Sequence, residues 1–178
     1  LHIDGARIFN AALALGVKVR DLAAPADSVM FCLSKGLSCP VGSMLCGSAE
    51  FIQRARRARK MLGGGMRQAG VLAAAGIVAL EQMVDRLQED HDNARILAEG
   101  IAEIPGLVLD LNTVQTNLVF FESVSDRMST QQFVDTLRPE GVWMMVLGSG
   151  RARAVTHYGI ARQDVERALQ VMRRVITA

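Results

Sequence analysis

Three positions near the start of this 178-residue sequence hold side chains whose type and setting could do chemistry. Asp4 and Arg7 stand in "LHIDGAR", where an apolar strand-like lead-in hands over to the helical spacing of "ARIFNAALAL". Lys35 stands in "LSKGL", at the end of the next strand-like segment, "DSVMFCLS". In open α/β sheets, ligands gather at the carboxyl ends of strands. An acid and an arginine at such an end suit a ligand that carries both a ring nitrogen and an anion. A lone Asp in that place also reads as a helix N-cap. A lysine after an apolar strand reads as a partly desolvated amine, able to condense with a carbonyl, or as a solvated loop residue.

Other reactive residue types do not form such a pattern. Cys32, Cys39 and Cys46 recur every seventh residue, and an odd count cannot pair fully within one chain; they read as buried free thiols of a reducing cytosol. His2, His91 and His157 are scattered, so no metal site is expected. His2 shares a strand face with Asp4 but reads as a packed structural histidine, and His157 reads likewise. The formal net charge is only +2, which gives no case for a nucleic-acid or membrane-surface partner. "RARRARK" would spread its bases around a helix with no aromatics between them. "GVLAAAGIVAL" is shorter than the roughly 20 residues of a membrane span and reads as a buried helix.

The elements that must position these residues follow from periodicity and punctuation. "LHI" reads as the tail of a buried strand, and "ARIFNAALAL" as a helix ending at Gly16. "DSVMFCLS" and "VGSMLCG" read as strands, and Ser48 opens a helix that "GGG" at 63–65 breaks. Helices are expected over about 68–83 and 85–103. Beyond them "LVLDL", "TNLVFFE", "VWMMVL" and "RAVTHYG" read as strands, with helices at "TQQFVDTL" and about 163–176. The change of pattern puts a domain boundary near residue 86, giving domains 1–86 and 87–178.

An acid at one strand end and a lysine at the next fit pyridoxal 5'-phosphate, whose pyridine nitrogen wants an acid and whose aldehyde wants an amine. The segments "HIDGARIFNAALALG", "LSKGL", "PVGSML", "GGGMRQAG" and "RAVTH", in this order, closely resemble the low-specificity L-threonine aldolases. That family belongs to the aspartate-aminotransferase-like, fold type I pyridoxal phosphate enzymes. The resemblance implies an α/β chain: the C-terminal part of the large cofactor domain, then a small α+β domain. It implies that Asp4 holds the pyridine nitrogen, that Lys35 bonds the aldehyde, and that Arg7 lies near the ring hydroxyl and the substrate carboxylate. Arg153 matches an arginine that grips the carboxylate with its fork, with Arg151 as a competitor for that role. Lys60 and Arg67 match subunit-interface positions reaching toward the phosphate of a neighbouring site.

The implied reaction is retro-aldol cleavage of threonine or allo-threonine to glycine and acetaldehyde, in a cytoplasmic homo-oligomer, a dimer of dimers. A related β-eliminating lyase and an inactive truncated fragment are the alternatives. The family's chain is about twice this long, so the sequence reads as its C-terminal half. The phosphate-binding turn, the ring-stacking histidine and the general base are expected in the remainder. Two departures stand out: Ser38 and Cys39 occupy places where the family commonly has Gly- or Ala-like residues, and "THYGI" lacks an acid often found after the histidine.

Overall fold

The computed structural model of the chain describes residues 1–177, in two compact units, Leu1–Leu87 and Gln88–Ala178. The first unit is built on a three-stranded sheet, β1 (His2–Asp4), β2 (Ser28–Cys32) and β3 (Ser43–Gly47), in that spatial order. β1 and β2 are parallel, with Asp4 opposite Met30, and β3 is antiparallel to β2. Between β1 and β2 run α1 (Ile8–Leu15), which ends at Gly16, and the short α2 (Val19–Ala23), which the sequence reading passed over because five residues show no helical period. α3 (Ala49–Met61) begins as expected at Ser48, whose Oγ accepts from the Phe51 amide. α4 (Gly70–Gln82) completes the unit. Its core gathers Leu33, Leu37, Cys39, Ala79 and Leu87, with Phe9 and Phe31 meeting edge to face at 5.2 Å.

Three expectations fail here. β1 is not a buried strand: it pairs on one side only, and His2 and Asp4 are both exposed. "GVLAAAGIVAL" forms a helix but not a buried one, since only Gly76 and Ala79 are buried and Val71, Ile77, Val78 and Leu80 face solvent. An all-apolar sequence shows that a helix can be covered, not that it is. The three cysteines are free, yet only Cys39 is buried; Cys46 is exposed because every residue of β3 is.

The second unit holds an antiparallel sheet of β4 (Leu107–Val108), β5 (Leu118–Ser123), β7 (Ala152–Val155) and β6 (Met145–Val146), in that spatial order. Its helices are α5 (Leu87–Ala102), α6 (Thr130–Leu137) and α7 (Arg162–Thr177). "LVLDL" and "VWMMVL" give strands of only two residues each, the first stopped by a 3-10 turn at Leu111–Thr113. Alternation sorts the central strands: Val119, Phe121, Ala152 and Ala154 join one core with the apolar stripes of α5, α6 and α7. Leu118, Phe120, Arg153 and Val155 therefore share the opposite face. Ser129 and Gln132 open α6 with a reciprocal capping box.

A buried polar cluster ties α5 to the strand ends. Thr156 Oγ1 donates to the Asp90 carbonyl at 2.6 Å, Asn117 Nδ2 to the Thr156 carbonyl at 2.8 Å, and Asn93 Nδ2 to the Ile160 carbonyl at 2.9 Å. His91 sits in this layer, and burial holds its imidazole below the ordinary value of 6.5 against the opposing pull of Asp90 and Asp92. The folded unit therefore binds this proton less readily than the unfolded chain. Stability should be complete above about pH 6.5, the ordinary histidine value, and fall as the pH drops through the lowered one. Urea unfolding followed by the fluorescence of Trp143, the single tryptophan, should show this loss as the pH is lowered below about 6.5, and His91→Gln should make the dependence shallower.

Candidate active site

Asp4 and Lys35 come to the same end of the sheet because β1 and β2 are adjacent and parallel. Asp4 closes β1, and the chain stays against β2 for two more residues: the Gly5 amide donates to the Met30 carbonyl at 2.9 Å, and Cys32 N to the Ala6 carbonyl at 3.3 Å. A Cβ on Gly5 would stand 2.9 Å from that Met30 carbonyl oxygen, so the residue after Asp4 must be glycine for the strand to pass. Asp4 does not cap α1. The N-cap position belongs to Arg7, half-buried, and Asp4 Oδ1 accepts only the Ala6 amide in its own turn, at 3.3 Å.

Lys35 follows β2 on a loop pinned from below. The Leu33 amide donates to the Gly42 carbonyl at 2.9 Å and Ser38 N to the Lys35 carbonyl at 2.9 Å, while Leu33, Leu37 and Cys39 are buried. Gly36 is equally constrained, since a Cβ there would stand 2.9 Å from Leu87 Cδ2 and 3.1 Å from Asn10 Oδ1. With its neighbours facing inward, Lys35 is exposed, which is the solvated loop reading of the two the sequence allowed and not the partly desolvated amine. Among the described residues, neither Asp4 nor Lys35 forms an ion pair. An acid and an amine without counter-charges, at the carboxyl ends of neighbouring parallel strands, fit a ligand with a basic ring nitrogen and an aldehyde.

Ser38 in this loop has φ 61°, the left-handed region, and Gln68, just after Arg67, has φ 53°. Ser38→Gly should raise stability by about 0.5–1 kcal/mol, the left-handed strain removed less the extra freedom of unfolded glycine. The change is read as the shift in the urea midpoint by circular dichroism.

The remaining candidates fall elsewhere. Lys60 lies in the last turn of α3 and Arg67 precedes α4, on the two limbs of the Gly63–Gly65 turn; both are exposed, and among the described residues neither pairs with Asp4. His2 Nδ1 lies 2.8 Å from Ser28 Oγ, and His157 Nδ1 2.8 Å from the Tyr158 carbonyl. Arg151 and Arg153 differ sharply. Arg151 Nε meets Glu122 Oε1 at 3.4 Å, and its guanidinium lies 5.4 Å from the Phe120 ring centre. Among the described residues Arg153 has no acid partner: its Nε is buried without a hydrogen bond, and Nη2 reaches the Met145 thioether, at 3.4 Å. The sequence reading missed Glu122, Phe120 and Met145 as neighbours of these arginines. The alternation of "LVFFES" against "RARAV" carries that signal once the strands are paired.

The family model for beta-eliminating lyases matches residues 1–124, which span both candidate lysine and acid. The chain belongs to the beta-eliminating lyase family. Within it, the chain is 44% identical over 177 residues to low-specificity L-threonine aldolase 1 of Arabidopsis thaliana, covering 99% of this chain and 49% of that protein. It is likewise 44% identical over 165 residues to the low specificity L-threonine aldolase of Escherichia coli K12, covering 93% and 47%. The chain thus spans about half the length of these curated relatives. Among solved structures, a threonine aldolase of Leishmania major superposes with TM-score 0.73 at 19% identity, over 99% of this chain and 52% of that one. The cystine C-S lyase C-DES superposes with TM-score 0.69 at 17% identity, over 92% and 50%. The α/β, aspartate-aminotransferase-like fold expected from the motifs is therefore the fold present, and the resemblance to threonine aldolases holds along nearly the whole chain. Among the described residues no helix is long and apolar enough to cross a membrane, and no cluster of potential metal ligands occurs.

Proposed function

We propose that this chain carries cofactor- and substrate-binding residues of a pyridoxal phosphate-dependent aldehyde-lyase that cleaves L-threonine and L-allo-threonine to glycine and acetaldehyde. The observation that carries the reading is the pair of uncompensated charges, Asp4 and Lys35, at the ends of two adjacent parallel strands. Asp4 keeps a proton on the pyridine nitrogen. Lys35 offers the amine that would hold the cofactor aldehyde. The bound cofactor supplies an electron sink for the bond broken at the substrate Cα. Arg7, three residues past Asp4, would serve the ring hydroxyl and the substrate carboxylate. Lys60 and Arg67 serve the phosphate of a neighbouring protomer in a homo-oligomer, a dimer of dimers in the cytoplasm. The first unit is part of the cofactor domain and the second is the small domain.

Of the two arginines competing for the substrate carboxylate, the unpaired one is the better receptor, because Arg151 would first have to leave Glu122. Arg153→Ala should weaken amino-acid binding by about 2–4 kcal/mol, as for other stranded charge partners. Arg151→Ala should cost less than about 1 kcal/mol, the range of an exposed ion pair. Glycine binding to the two variants measures both.

The identity of the products tests the reaction. L-Threonine should yield equal amounts of glycine and acetaldehyde, without ammonia. A β-eliminating activity, which the family match also accommodates, would give 2-oxobutanoate and ammonia instead.

A further inference from the structure

Met145 and Arg153 face each other across the β6–β7 pair, with Met145 Sδ accepting from Arg153 Nη2 at 3.4 Å. A thioether is a weak acceptor, so it seats the guanidinium without competing with an anion. Arg153 Nε, buried without a partner, is still unsatisfied beside it. Met145 itself is 58% exposed and open to small oxidants. We propose that Met145 is an oxidation site that controls carboxylate binding at Arg153. One oxygen atom passes from a peroxide to the Met145 sulfur: the sulfur lone pair forms the S–O bond as the O–O bond breaks. The thioether is oxidised by two electrons to the sulfoxide, and hydrogen peroxide is reduced to water. The sulfoxide oxygen is a strong acceptor placed one bond from an atom already touching Nη2. It takes the Nη2 hydrogen that a substrate carboxylate would use. The modification is reversible by methionine sulfoxide reduction.

The sequence around the pair is consistent with a local effect. Arg151, the other arginine on β7's flank, already pairs with Glu122 and lies against Phe120, so it is the poorer substitute once Arg153 is occupied. The chain has nine methionines, and Met61 and Met66 are also exposed, so selectivity is a measurable property.

The inference rests on Arg153 being the carboxylate receptor, and the experiment separates the two claims. The complete pyridoxal phosphate-loaded enzyme is treated with hydrogen peroxide, and sulfoxide at each methionine is mapped by mass spectrometry. KM and kcat are compared before and after treatment. KM should rise about tenfold, the worth of a charge-assisted hydrogen bond that the carboxylate must displace, while kcat stays. Methionine sulfoxide reductase should restore KM, and a thiol reductant alone should not, which excludes the cysteines. Met145→Leu should show no change of KM on peroxide treatment. Met145→Gln, whose amide oxygen mimics the sulfoxide, should have a raised KM without peroxide. An unmodified Met145, or an equal rise of KM in treated wild type and treated Met145→Leu, would overturn the proposal while leaving the receptor role intact. A normal KM in untreated Arg153→Ala would instead overturn the receptor role, and this proposal with it.

Discussion

Replacing Lys35 by alanine should lower threonine cleavage by more than about 10³-fold, because the amine that holds the cofactor aldehyde and gives way to the substrate is lost. Lys35→Arg should fail equally: a guanidinium keeps the charge but is no nucleophile. Neither change should unfold the chain. Lys35 is exposed, while the loop that carries it is anchored by the buried Leu33, Leu37 and Cys39, and surface substitutions cost within about 0.5 kcal/mol. Acetaldehyde release measures turnover, and circular dichroism checks the fold. Full activity in Lys35→Ala would place the cofactor amine elsewhere.

Asp4→Ala should lower kcat by about 10²–10³-fold, the usual loss when one placed electrostatic group is removed from a reacting centre. Asp4→Asn is the sharper variant. It keeps the shape and the turn contact to the Ala6 amide, yet a neutral amide does not hold a proton on a pyridine nitrogen. If the role of Asp4 were only to shape the turn after β1, Asp4→Asn would be nearly as active as wild type. The account predicts that it is nearly as poor as Asp4→Ala. Gly5→Ala should be damaging by a different route, since its Cβ would press on the Met30 carbonyl and part β1 from β2.

Much of this arrangement was readable from residues alone, and the reasons differ from place to place. Strands and helices with clear punctuation emerged where expected: Gly16 closes α1, Ser48 caps α3, and the break at Gly63 ends it. The strand ends bearing Asp4 and Lys35 were legible because glycine follows each, and the structure shows both glycines wedged against neighbours. Exposure was not legible. Periodicity reports which face is apolar but not whether anything covers it, so β1, Cys46 and most of α4 read as more buried than they are. Two-residue strands such as β4 and β6 lie below what alternation resolves, and with β6 went the contact of Met145 with Arg153. The different surroundings of Arg151 and Arg153 also needed strand register, because Glu122 lies far off in sequence and becomes the partner of Arg151 only through the β5–β7 pairing.

The most direct measurement is to find which amine holds the cofactor. Borohydride reduction of the complete pyridoxal phosphate-loaded enzyme, followed by digestion and mass spectrometry, locates the labelled amine, and within this chain it distinguishes Lys35 from Lys18 and Lys60. The account predicts the pyridoxyl label on Lys35 and loss of the cofactor's absorption band on reduction. A label on Lys60 or Lys18, with Lys35 unmodified, would contradict it.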